Sequence, residues 1–150
     1  MKVLIAICLL FPYTMNNGKP ITFNHYIVNS IFKGHPAKVV LKGNSLATMY
    51  KTRITKTYNS EGLNFAGHYC LVWWGCGSDC QHAAVVDLKT GIVYDGPTSA
   101  RRFKFKCSSR LIIINPPNSN GKIDGTCASC KPEFWVWNDN SKKFYKTNQD

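Results

Sequence analysis

The sequence predicts an α+β fold, mostly β: a twisted antiparallel sheet, curling towards a barrel, with one covering helix near residues 45–58. Three observations predict it. Aromatic and β-branched residues gather in short runs bounded by Gly, Pro, Asn and Ser. The links between these runs are short, which favours antiparallel neighbours. Helical spacing is clear in one place only. The chain has 150 residues, 44% hydrophobic and 18% charged, which is enough for one domain with a real core and excludes a disordered chain.

The elements follow in order. Lys2 and the apolar run Val3–Phe11 resemble the n- and h-regions of a short secretory signal, so residues 1–20 are expected to direct export and 21–150 to form a single disulfide-stabilised domain. The run is too short to span a bilayer. Ile21–Val28 and Lys38–Lys42 read as strands. Asn44 or Ser45 can cap a helix over Leu46–Tyr58, with Leu46, Met49, Tyr50, Ile54 and Tyr58 on one face and Lys51 and Lys56 off it. Phe65–Trp74 and Ala83–Leu88 read as strands. Lys89–Gly91 turns the chain back into Ile92–Tyr94. Arg102–Lys106 alternates, Leu111–Asn115 is a buried strand stopped by Pro116 and Pro117, and Phe134–Trp137 pairs with Lys143–Lys146.

The chemistry is concentrated in Asn64–Pro97. After Cys8 of the leader, six cysteines remain: Cys70, Cys76, Cys80, Cys107, Cys127 and Cys130. An even set in an exported chain reads as a disulfide framework, although six cysteines allow fifteen pairings. Local spacing favours Cys76–Cys80 and Cys127–Cys130, leaving Cys70 with Cys107. Two alternatives use the same residues. Cys76 with His68 or His82 and Asp87 would suit an envelope hydrolase, given a free thiol of lowered pKa. Cys76, Cys80, Cys127 and Cys130 with His82 would suit zinc in a cytosolic nucleic-acid binder. The CxxC of Thr126–Cys130 lacks the following helix that a redox dithiol uses. His68, Tyr69, Trp73 and Asp87 are pocket candidates, and His68 and Asp87 can pair if their strands are adjacent. Of Trp73 and Trp74, alternation buries one and exposes the other.

Net charge is +11, and it is lopsided: residues 1–60 hold eight Lys or Arg and no acid, Glu61 being the first carboxylate. Such a chain attracts anionic partners. On a strand Arg102, Lys104 and Lys106 share a face, beside Arg101, as an anion-binding stripe, while Phe103 and Phe105 point the other way. Nucleic acid is less favoured, because it wants aromatics beside the charges.

The pattern Asn64–Tyr69 (NFAGHY), Trp74–Gly77 (WGCG) with Cys80, then Val86–Asp87, Thr90–Gly91 and Val93–Tyr94 resembles an uncharacterised group of small bacterial exported, periplasmic proteins. The similarity covers about residues 36–147, including Ser109–Pro117 and the closing aromatic hairpin. It implies export and a Cys76–Cys80 bond, and it brings no catalytic residue. Cys70, Cys107, Cys127 and Cys130 are additions to that pattern.

The expected protein is therefore periplasmic or secreted, β-rich and basic, without cofactor or metal. It works by binding an anionic macromolecule: an acidic protein, as an inhibitor or immunity-type protein, or an envelope polymer. Expressed with its native N-terminus, it should lose about its first twenty residues. Intact-mass measurement checks this, and an uncleaved chain would overturn the export expectation.

Overall fold

The computed structural model describes residues 20–123, 127 and 130–147; the segment read as a signal lies outside them, but for Pro20. Strands β1 (Tyr69–Gly77), β2 (Cys80–Asp87) and β3 (Val93–Ser99) form a three-stranded antiparallel sheet. Strands β4 (Phe103–Phe105), β5 (Leu111–Ile114), β6 (Glu133–Asn138) and β7 (Lys143–Thr147) form a second, four-stranded antiparallel sheet. Sheet order follows chain order in both. Among the described residues the fold is thus mostly β and antiparallel, as expected, in two open sheets instead of one.

The first sheet is apolar on both faces, which explains its near-continuous hydrophobic runs. Alternation sends Cys70, Val72, Trp74, Ala84, Val86 and Val93 to one side, where Ala47, Ile54 and Tyr58 of the helices cover them. Tyr69, Leu71, Ala83 and Val85 go to the other side and meet Ile112 and Trp137 of the second sheet. Trp74 is buried and Trp73 is 49% exposed, as alternation requires. Trp137 is wholly buried, with Tyr69, Tyr94 and Phe144 rings at 5.2, 5.8 and 5.0 Å.

The sheets separate at Asn115. Its Oδ1 accepts from Ser99 Oγ (2.9 Å), Ala100 N (3.1 Å) and Arg101 N (3.1 Å). This buried side chain satisfies the backbone donors of the bend between β3 and β4, so the chain turns out of the first sheet instead of extending it.

The helical layer departs from expectation. Among the described residues there are two α-helices, α1 (Ser45–Met49) and α2 (Lys51–Glu61), broken at Tyr50 (φ −107°, ψ 23°). Asn44 caps α1, accepting from Ala47 N at 2.9 Å and donating to Val93 O at 2.7 Å. The break rotates Met49 off the apolar face that spacing gave it, and Met49 is 73% exposed. Two expected strands are absent. Ile21–Val28 contains a 3-10 turn at Phe23–Tyr26 and a single bridge, Ile27 to Ser109. Lys38–Lys42 forms no strand and is tied to the turn after β2 at Ala37 N to Leu88 O and Val40 N to Gly91 O, both 2.8 Å. There Gly91 (φ +75°) comes so close that a Cβ would sit 1.9 Å from Lys38 O.

Cys76–Cys80 and Cys127–Cys130 are disulfide-bonded. Cys70 and Cys107 are free thiols, correcting the third pairing. Cys70 is wholly buried in the core against the helices, while Cys107 follows β4 of the second sheet.

Trp137→Ala should cost about 3–5 kcal/mol, the usual loss for a buried aromatic that leaves a cavity. Urea unfolding followed by tyrosine fluorescence and far-ultraviolet dichroism checks it; a loss below about 1 kcal/mol would show that this ring does not join the sheets.

Candidate functional site

The NFAGHY segment places the site. Asn64 acts as a substitute neighbouring strand for β1: its Oδ1 accepts from Leu71 N at 2.7 Å and its Nδ2 donates to Leu71 O at 3.1 Å. The same Nδ2 donates to Glu61 Oε2 at 3.0 Å, fixing the end of α2. Phe65 and Tyr69 exchange backbone hydrogen bonds of 2.9 and 3.0 Å, so the expected strand at Phe65 is instead a tight turn. Ala66 (φ +43°) and Gly67 (φ +82°) make that turn. Gly67 is held between two chains: its N–H donates to Cys107 O and its carbonyl accepts from Phe32 N, each at 2.7 Å. A Cβ there would meet Ser30 O at 2.6 Å, and only glycine combines the positive φ with that approach. His68 is thereby delivered to the floor of a cleft.

The cleft is about 390 Å³ and is built where several connections converge. Val28, Asn29 and Ser30 form one wall. His68, Lys89, Arg110 and Asp139 supply the ionisable groups, and Trp137 closes the base. Lys89 and Arg110 stand in no ion pair among the described residues. Asp139, on the turn between β6 and β7, is engaged. Its Oδ1 accepts from the Tyr69 hydroxyl and from Lys142 Nζ at 3.0 Å, and lies 3.6 Å from His68 Nε2. Lys142 Nζ also donates to the Tyr69 oxygen at 2.7 Å.

These contacts set the protonation states. Burial pushes the Tyr69 phenol up, the Asp139 bond adds to this, and Lys142 only partly opposes it. Burial alone would raise Asp139, but the hydrogen bonds from Tyr69 and Lys142 carry it below its usual value. Burial alone would lower Lys142, and its bonds to Tyr69 and Asp139 win and raise it. Burial lowers the His68 pKa, assisted by Lys89 and opposed by Asp139 and Asp87. At neutral pH the cleft therefore holds a neutral imidazole, an internally satisfied Asp139, and two cations open to a ligand.

Of the pocket candidates, His68 and Tyr69 are at the site. Asp87 lies opposite Tyr69 in the β1–β2 register, is buried, and accepts from Lys89 N at 2.8 Å, so it shapes the turn that carries Lys89. The carboxylate nearest His68 is Asp139. Trp73 projects near the disulfide end of β1 instead. His82 is there too, its Nε2 2.9 Å from Asp95 Oδ1 and its ring 5.2 Å from Trp74. Cys76 is bonded to Cys80 and so offers no nucleophilic thiol, which removes that step from the hydrolase scheme. The four cysteines of the zinc scheme are all in disulfides, a form that does not ligate zinc. In the basic stripe Arg101 Nη1 is paired to Asp79 Oδ1 at 2.7 Å, which ties the Cys76–Cys80 hairpin to the bend between β3 and β4. Arg102 and Lys104 are exposed, and Lys106 Nζ sits 5.0 Å over the Phe23 ring. Phe103 and Phe105 pack inward.

Sequence reasoning missed Lys89, Arg110, Asp139 and Lys142. Each sits in or beside a connection, and no local spacing links them to His68. Comparison with protein-family models, curated proteins and solved structures found no match.

The lowered His68 pKa has a stability consequence. The unfolded chain takes up a proton near the ordinary value of 6.5, and the folded chain does so only at lower pH. The unfolded state thus binds more protons, and stability rises with pH across this window. The contribution is complete above the unfolded value and is lost as pH falls through the folded one. Lys89, Lys142, Asp139 and Asp87 are the charged groups that act on the ring. His68→Gln should flatten the loss of stability on acidification from neutral pH; denaturation midpoints across that range check it, and an unchanged slope would refute the assignment.

Proposed function

We propose that the protein is an exported, disulfide-braced binding protein that recognises an acidic protein by accepting an exposed carboxylate of that partner into the His68 cleft. One observation carries this reading: Lys89 and Arg110 face the cleft without an ion-pair partner among the described residues, while its one carboxylate is already bonded to Tyr69 and Lys142. A guanidinium and an ammonium flanking a side-chain-sized hollow match a carboxylate, the guanidinium being able to hold both its oxygens. The neutral imidazole of His68 can add a hydrogen bond without another charge.

Export is supported by the apolar leader and the two disulfides, which persist in oxidising compartments. Among the described residues no helix is long and apolar enough to cross a membrane. The resemblance to small periplasmic proteins agrees with this location. An inhibitor or immunity-type role is the form of binding that fits a protein whose ionisable cluster is spent on internal order.

Titration of the whole protein with a glutamate-rich peptide at physiological salt tests the reading. Saturable binding is expected, weakened about tenfold or more by Lys89→Ala or Arg110→Ala, the usual loss for a charged hydrogen bond. Lys104→Gln with Lys106→Gln, on the stripe, should weaken it far less. Absence of saturable binding, or equal losses in all variants, would overturn the cleft as the recognition site.

A further inference from the structure

A second group of cations lies outside the cleft, on the layer that covers the helix side of the first sheet. Lys33, Lys38, Lys42, Lys51, Arg53 and Lys56 are all exposed. Among the described residues none of the six is in an ion pair. The first carboxylate, Glu61, sits at the far end of α2 and accepts from Asn64. The first turn of α2 carries Lys51 and Arg53 and no acid, against the preference of a helix N-terminus for negative charge. Fold stability therefore does not account for this placement.

Geometry gathers the charges. Lys38 and Lys51 border one groove of about 470 Å³, floored by Val39, Leu41 and Tyr58. Lys51 and Arg53 border a second hollow of about 330 Å³, beside Met49. Met49 is 73% exposed, and Val40 and Ile92 are each 41% exposed, on chain segments joined by the Val40 N to Gly91 O bond. Cations around headgroup-sized hollows, with apolar side chains standing among them, match an interface of anionic phosphates over acyl chains. A wholly polar soluble polyanion would make no use of the exposed Met49.

We propose that this helical layer docks on a membrane surface rich in anionic phospholipid, with Lys38, Lys51, Arg53 and Lys56 on the headgroups and Met49 at the acyl boundary. This attachment is peripheral and does not depend on the cleft.

Co-sedimentation of the whole protein with vesicles tests it. Phosphatidylcholine vesicles containing phosphatidylglycerol should bind the protein at physiological salt, and pure phosphatidylcholine vesicles should not. Each such cation contributes about fivefold near an anionic surface, so the triple variant K51Q/R53Q/K56Q should lose roughly a hundredfold. Those side chains are exposed, and its unfolding midpoint should stay near that of the parent. Met49→Ser should weaken binding at high salt more than at low salt, and Lys89→Ala should leave vesicle binding unchanged. Equal binding to both kinds of vesicle would overturn the proposal. So would full retention in the triple variant, or binding of glycerol phosphate without binding of vesicles.

Discussion

The structure depends on one constraint: the β1–β2–β3 sheet must bury both of its faces. Its strands alternate two apolar sets, so a slip of one residue would exchange Cys70, Val72 and Trp74 for Tyr69, Leu71 and Trp73. The register is held from both ends. Asn64 pairs with Leu71 through its side chain at one end, and the Cys76–Cys80 disulfide closes the hairpin at the other, where a bulge lies between Gly75 and Gly77. The helices and the second sheet then have fixed surfaces to cover, and the positions of Tyr50 and Asn115, where the chain bends, follow from that.

The Tyr69 hydroxyl shows how this constraint produces a site. Strand alternation drives the whole phenol into the inter-sheet core, where its relative exposure is 0%. A hydroxyl left unpaired there would cost roughly 1–3 kcal/mol. Asp139 and Lys142 satisfy it, and they come from the turn of the last hairpin, far away in sequence. Lys142 adopts φ +55° in that turn, an uncommon conformation for a lysine, and its ammonium bonds both the phenol and the carboxylate. Satisfying one buried hydroxyl thus places a carboxylate beside His68 and closes the side of the cleft. It also uses up that carboxylate, so the cleft is left to its cations.

Much of this was legible in the sequence, and the remainder fails for definite reasons. Strands that bury a face announce themselves: the runs around Leu71, Val85, Ile112 and Trp135 all became strands, because their side chains decide the pairing. Ile21–Val28 and Lys38–Lys42 have strand-like composition but find no partner edge, and the chain there is held by isolated hydrogen bonds. The helix over 45–58 was visible by its period, yet its break at Tyr50, whose ring packs 4.4 Å from that of Trp74, leaves no mark on the local spacing. The motif around His68 could be seen as a place for a pocket. Its partners could not, since Asp139 and Lys89 are ordinary turn residues until the two sheets stack. The pairing of Cys70 with Cys107 was a matter of elimination, and elimination does not know that Cys70 is buried in the core against the helices.

The first sheet also separates the two charged regions of the molecule. On the side facing the second sheet, charge is internally paired: Lys142 and the Tyr69 hydroxyl hold Asp139, beside His68, at the rim of an aromatic core. On the helix side charge is open, because α2 buries only Ile54 and Tyr58 and turns its lysines and arginine outward. Charge held by internal hydrogen bonds keeps a defined geometry, so it suits recognition of one group in one orientation. Open charge is strongly screened and tolerates many arrangements, so it suits attraction to an extended anionic surface. On the two readings proposed above, the open cations meet the membrane surface and the cleft meets the acidic partner, so two kinds of charge serve two kinds of target.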